Sequence, residues 1–113
     1  MFQFERNERD GLAVLTLSGN LDAATSSGLK KEVVALADAQ HTRVAVDLSK
    51  LTLIDSTGVG VLISLFKRTR ALGGAVHFAG LTGQPKEIFR LLRLDRSLDL
   101  HPSLDEAVAK LKG

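Results

Sequence analysis

The chain is 113 residues long, 44% hydrophobic and 25% charged with a formal net charge of +2, the size and make-up of one folded domain rather than of a disordered segment. It has no cysteine, which excludes disulfides, thiolate nucleophiles and cysteine zinc sites, and it has neither Tyr nor Trp while its five Phe lie mostly in apolar runs, which argues against nucleic acid as a partner. Residues 1–6 carry charge early and the longest apolar helix-forming run, residues 59–66, is far short of the ~20 residues that span a bilayer; a cytoplasmic protein with no signal peptide and no membrane insertion is expected.

In chain order, residues 2–6 alternate apolar and polar side chains, Arg9, Asp10 and Gly11 supply a turn, and residues 12–18 are rich in Leu, Val and Thr. That pattern predicts a β-hairpin. The second strand ends at Gly19, and Asn20, Leu21 and Asp22 form a short loop with Asp22, Thr25 or Ser26 available as helix cap. Leu29, Val33, Leu36 and Ala37 then recur at helical spacing, leaving Lys30, Lys31, Glu32 and Asp38 outward, and Gln40, His41 and Thr42 close this amphipathic helix. Residues 43–48 are apolar on both faces, as in a central strand, and Leu51, Leu53 and Ile54 carry the chain through a brief connection.

The second helix is predicted from about Thr57 to Leu72, with Lys67, Arg68 and Arg70 opposing its negative end and Gly73-Gly74 stopping it. Residues 75–79 form a fourth strand, residues 80–83 a turn, and Pro85 opens a third helix whose buried stripe is Ile88, Leu91 and Leu92. Residues 97–100 make a short fifth strand, Pro102 breaks the chain, and Ser103 with Glu106 reads as a capping box for a last helix over residues 104–111. The expected fold is a single α/β domain spanning residues 1–113. It has a mixed, mostly parallel five-stranded sheet and about four helices in the order β-β-α-β-α-β-α-β-α.

Chemistry concentrates at the start of the second helix. The first backbone N–H groups of a helix lack intrahelical partners and carry partial positive charge, so Ser56 presents its hydroxyl where a phosphate or a protein surface is welcome, beside Asp55. Gly58 and Gly60 keep bulk away from that approach; capping by Asp55 and Ser56 alone is the other reading. His41, His77 and His101 lack ligand spacing, Ser56 lacks the G-x-S-x-G elbow and a base beside it, and Gly58-Val59-Gly60 lacks the third Gly and the Lys-Ser/Thr pair of nucleotide loops. Neither a metal, a cofactor nor an enzymatic activity is predicted.

The strand ending in Asp47-Leu48-Ser49, followed by Leu53-Ile54-Asp55-Ser56-Thr57-Gly58-Val59-Gly60-Val61-Leu62, resembles the signature of the STAS family, the anti-sigma factor antagonists. Leu17-Ser18-Gly19-Asn20-Leu21-Asp22 resembles that family's second recurring motif, and Gly73-Gly74 with Ile88-Phe89-Arg90-Leu91-Leu92 also fits, so the resemblance covers essentially the whole chain. It implies that Ser56 matches the phosphoacceptor and Asp55 the acid before it. The implied partners are an anti-sigma factor with serine kinase activity, which binds the unmodified form and so releases the sigma factor, and a phosphatase that resets the switch; ATP and its metal belong to the kinase. The remaining docking surface is expected at Asn20, Asp22, Ala23, Thr25, Thr57, Gly58 and Val59, on a monomer or weak dimer. Asn20 stands where the family often has an acid, Asp22 reads equally as a helix cap, and Thr57 as a capping or packing residue. A STAS interaction module without a phosphorylation cycle, such as a lipid-transport accessory subunit, is the alternative.

Overall fold

In the computed structural model, which describes residues 1–113, β1 (Phe2–Arg9) and β2 (Leu12–Leu21) form the expected antiparallel hairpin. Its two turn residues, Asp10 and Gly11, both have positive φ (55° and 80°), the backbone that suits the right-handed twist of a two-residue hairpin. The chain continues through α1 (Ser27–Asp38), β3 (Arg43–Ile54), α2 (Ser56–Ala71), β4 (Ala75–Ala79), α3 (Gly83–Leu91), α4 (Leu94–Ser97), β5 (Asp99–His101) and α5 (Leu104–Lys112). The five strands lie in sequence order across one sheet, and every pair after the hairpin is parallel. The fold is therefore the expected single α/β domain with a mixed, mostly parallel sheet. No helix is long and apolar enough to cross a membrane.

Strand alternation sorts the core onto two faces. Leu15, Leu17, Val44, Val46, Leu48 and Phe78 point to the side covered by α1, α2 and α3, while Leu12, Val14 and Ala45 meet Val108 and Leu111 of α5 on the other. The first face holds twenty buried residues and the second five, so α5 is a small cap over one half of its face, and Glu5, Ser18 and Lys50 stay near solvent beyond it. The Ser103 hydroxyl accepts from Glu106 N–H at 3.3 Å and starts α5 as its capping pattern predicts.

Four features differ from the sequence expectation. The second strand does not stop at Gly19, nor the third at Leu48: β2 runs to Leu21 and β3 to Ile54, so Leu51, Leu53 and Ile54 belong to a strand and not to a connection. The reason is a pair of irregularities, between Thr16 and Ser18 and between Gly19 and Asn20, where β3 carries an extra residue against β2 and the apolar alternation slips. The third helix buries Pro85 and Phe89 instead of the stripe Ile88, Leu91 and Leu92; Ile88 is half-buried, and Leu91 and Leu92 are 70% and 54% exposed. Arg93 adopts φ 60°, which ends the helix and turns the chain into the extra one-turn α4, so Leu94 and Leu98 pack inward where a continuous helix would have used Leu91 and Leu92. Consequently Ser97 ends α4, and the fifth strand is shifted to Asp99–His101.

These contacts give opposite expectations for two neighbouring apolar residues. Phe89→Ala, which empties a site 1% exposed and edge-on to the Phe78 ring, is expected to cost about 3–5 kcal/mol in chemical denaturation. Leu91→Ala is expected to stay within ~0.5 kcal/mol of the parent.

Candidate functional site

The C-terminal ends of β2 and β3 bring the two motif segments together. Asp55 caps α2: its Oδ1 accepts from Gly58 N–H at 2.9 Å, and its Oδ2 accepts from Ala23 N–H at 3.1 Å, on the loop before α1. One carboxylate thus ties the second motif's loop to the start of α2. Asp55 N–H also donates to Leu21 O at 3.2 Å, so backbone and side chain hold the same junction. Donation from Gly58 N–H above all holds the Asp55 carboxyl below the usual 3.8; desolvation opposes it, and donation from Ala23 and Thr57 adds to it.

The loop is organised by its own acid. Asp22 Oδ1 accepts from Ala24 N–H and Thr25 N–H, both at 3.0 Å, while Thr25 Oγ1 accepts from Asp22 N–H at 3.0 Å and faces Asn20 O at 2.8 Å. Asp22 and Thr25 were candidate helix caps; they instead cap the turn that precedes the helix. Ser26 occupies the N-cap position of α1 with helical φ and ψ (−79°, −13°), so the position is reached by continuing that turn. Asn20 is fixed from below by Thr52, whose hydroxyl donates to Gly19 O and lies 2.9 Å from Asn20 Oδ1.

Ser56 is the first residue of α2 and is exposed; Thr57, beside it, is half-buried. The two glycines expected to clear the approach do different things. Gly60 is exposed with open space where a Cβ would stand, whereas Gly58 is buried and a Cβ there would come within 2.7 Å of Leu21 O and 2.8 Å of Ile54 Cγ1. Gly58 is therefore needed for α2 to lie close against the ends of β2 and β3, not to expose Ser56. Val59 is likewise buried in the core. Gly19, at φ +87°, would drive a Cβ into Met1 O, so it fixes the end of the hairpin beside the loop.

Sequence reasoning missed Gln84. Beyond Asp47, β3 no longer pairs with β4, which leaves the backbone of Ile54 without a strand neighbour on that side. The Gln84 amide takes the place of one: its Oε1 accepts from Ile54 N–H at 2.9 Å and its Nε2 donates to Ile54 O at 3.0 Å, pinning the start of α3 to the same end of the sheet. A lone Gln directly after a turn carries no sequence signal of this role. Also unforeseen is a groove of ≈ 390 Å³ between α1 and α2, in which Thr57, Gly60 and Val61 meet Val33 and Val34 below Lys30 and Arg68. Arg68 and Arg70 do stand in the last turn of α2, with the Arg70 guanidinium 5.4 Å from the Phe66 ring centre.

The histidines lie elsewhere. His41 follows α1 at the opposite end of β3, its Nε2 against the Arg6 guanidinium, and His77 and His101 are on the α5 side of the sheet. His77 Nδ1 is 2.6 Å from His101 Nε2, closer than two stacked rings can lie, so the nearly parallel rings (9°) meet edge to edge within hydrogen-bonding distance. Burial above all, then His101 and Lys110, pushes His77 below its usual 6.5, with Asp99 at 3.9 Å opposing.

A family model described as STAS domain matches residues 3–107. The anti-sigma-B factor antagonist of Bacillus subtilis is 26% identical over 96 residues, covering 85% of this chain and 85% of that protein. Among solved structures, an anti-sigma factor antagonist from Mycobacterium paratuberculosis superposes with a TM-score of 0.89 at 21% identity, covering 100% of this chain and 96% of that one. The Bacillus cell fate determinant SpoIIAA superposes at 0.75 in its unphosphorylated form and 0.72 in its phosphorylated form. Those matches are at 19% and 20% identity and cover 100% and 97% of this chain and 99% and 98% of the others.

Two titrations test these geometries. Asp55 is expected to titrate below 3.8 in carboxyl NMR; because its folded value is depressed, the cap's contribution is present above that pH and lost as pH falls through the folded value. Asp55→Ala is expected to lower Tm at neutral pH and to flatten that acid limb. For His77 the native state refuses a proton that the unfolded chain accepts, so stability is expected to fall as pH drops below 6.5, and His77→Gln to remove that part of the slope.

Proposed function

The chain belongs to the STAS domain family, and we propose that it acts as an anti-sigma factor antagonist whose docking is switched by phosphorylation of Ser56. The observation that carries the reading is the exposed Ser56 at the first position of a sixteen-residue helix, next to an acid whose own oxygens are occupied by backbone donors. The relative from Bacillus subtilis bears the name anti-sigma-B factor antagonist, and SpoIIAA has been solved in unphosphorylated and phosphorylated forms, which supports the same class of partner and modification here.

In this reading a serine kinase acting as anti-sigma factor docks on the loop residues Asn20, Asp22, Ala23 and Thr25 together with Asp55, Ser56 and Thr57. Gly58 and Val59, being buried, act by seating the helix and not by touching the partner. The unmodified surface holds the kinase and frees the sigma factor. Phosphorylation adds about −1.5 to −2 charge beside Asp55 at neutral pH, and a partner face shaped to a neutral hydroxyl must then desolvate a dianion. A phosphatase removes it. The chain contributes an acceptor hydroxyl and a surface; the catalytic groups belong to its partners.

Incubation with the cognate kinase and ATP, read by mass spectrometry, is expected to give one phosphate on the parent and none on Ser56→Ala. Ser56→Glu is expected to weaken kinase binding by about a hundredfold or more while leaving the circular dichroism unchanged. Phosphate found elsewhere, or none at all with binding intact, would replace the switch by a constitutive STAS interaction module.

A further inference from the structure

We propose that the free edge of β1 is a self-association surface that joins two copies of this chain antiparallel about a two-fold axis through Asn7. This goes beyond the switch reading and does not depend on it. β1 is the outer strand of the sheet and is eight residues long, whereas the other edge strand, β5, has three residues. Antiparallel partners alternate between residues that exchange hydrogen bonds and residues that do not. Asn20 N–H donates to Met1 O at 2.8 Å, and Arg9 opposite Leu12 closes the two-residue turn, so the odd-numbered residues of β1 bond inward to β2. Phe2, Phe4, Arg6 and Glu8 therefore turn their N–H and C=O groups to the open edge.

A second copy can add only in a register that sets even-numbered residues opposite even-numbered ones. Centred on Glu5, Arg6 or Glu8, such a pairing places two like charges face to face on the axis, and centred on Phe4 it sets Gln3 opposite Glu5 and Phe2 opposite Arg6, with no opposite-charge pair. Centred on Asn7 it places Arg6 opposite Glu8 of the second copy and Glu5 opposite its Arg9, four opposite-charge pairs in the dimer with a neutral amide on the axis. Charges on an edge strand ordinarily discourage strand addition. Here the segment Glu5-Arg6-Asn7-Glu8-Arg9 is its own electrostatic complement when read backwards. Arg6 already lies 3.4 Å from the half-buried Glu32 and against His41, and Arg9 lies 2.7 Å from Asp105 in an exposed contact that exchanges at little cost. Main-chain bonds between Arg6 and Glu8 supply the attraction, the charges fix the register, and the result is a weak, reversible dimer with one continuous sheet.

The chain has no cysteine, so one introduced thiol reports on the axis. Asn7 meets its own copy in a non-bonded pair, with Cα atoms about 4.5 Å apart, within the ~4.4–6.8 Å that a disulfide needs. Under mild oxidation Asn7→Cys is expected to cross-link roughly tenfold faster or more than Arg9→Cys, which faces Glu5 of the second copy. In sedimentation velocity the parent is expected to dimerise with rising concentration. Arg6→Glu alone and Glu8→Arg alone are expected to stay monomeric, and an equimolar mixture of the two to recover the dimer, which also shows both to be folded. A parent monomeric at every concentration, a dimer indifferent to both reversals, or equal cross-linking rates for the two cysteine variants would each overturn the proposal.

Discussion

The Asp55 carboxylate is the interaction on which the candidate docking end of the molecule depends. Its two oxygens take donors from two separate segments, Gly58 at the start of α2 and Ala23, before α1 and thirty-two residues from Asp55. A Ser or Thr in the same place could accept for the helix but has one oxygen to offer and could not hold the second loop as well. The consequence is that Ser56 and the Asn20–Thr25 loop keep a fixed relation. A partner reading both meets a preformed surface and not two segments that must be ordered on binding.

Close approach of backbone to backbone makes that bridge possible. Gly58 lets the first turn of α2 settle against Leu21 O and the Ile54 side chain, and Gly19 lets Met1 reach the end of β2. Gly19 lies between, and Gly58 beyond, the two irregularities at which β3 gains residues on β2, which re-aim the strand ends and set Leu51 and Ile54 into the core while leaving Leu53 49% exposed. Past the reach of β4, Gln84 closes the side of Ile54 that the sheet leaves open. The loops at this end are thus held by side-chain amide and carboxylate bonds to backbone, where the ladder itself has run out.

What the sequence made legible was whatever depends on local period or on a single cap. The hairpin, the order of the strands and the four longer helices, the cap at Ser103 and the start of α2 within one residue were all readable, because alternation, helical spacing and turn residues act within a few positions. The full length of β3 was not, since the extra residues break the alternation that identifies a strand. The burial of Phe89 in place of Leu91 was hidden by Arg93: a positive φ at an arginine has no sequence signal, and without it the apolar run 88–92 reads as one helix face. At the site, Asp55 and Ser56 stood out by type and position. The bond from Asp55 to Ala23, the true burial of Gly58 and the part played by Gln84 are long-range facts that no spacing encodes.

The occupancy of Asp55 also decides how a modification at Ser56 can act. A helix start with free N–H groups would draw a phosphate inward and reorganise around it. Here Gly58 N–H is already bound to Asp55, and moving that carboxylate aside would release Ala23 as well. In the proposed switch, a phosphate on Ser56 would find Gly58 N–H already taken and would add its charge at the exposed lip of the site. The domain beneath would keep its packing, since Val61, Leu62 and Leu65 anchor α2 in the core beyond its first turn. Such an arrangement changes what the surface repels without changing what the chain folds into, which is the requirement of a switch reversed by adding and removing one group.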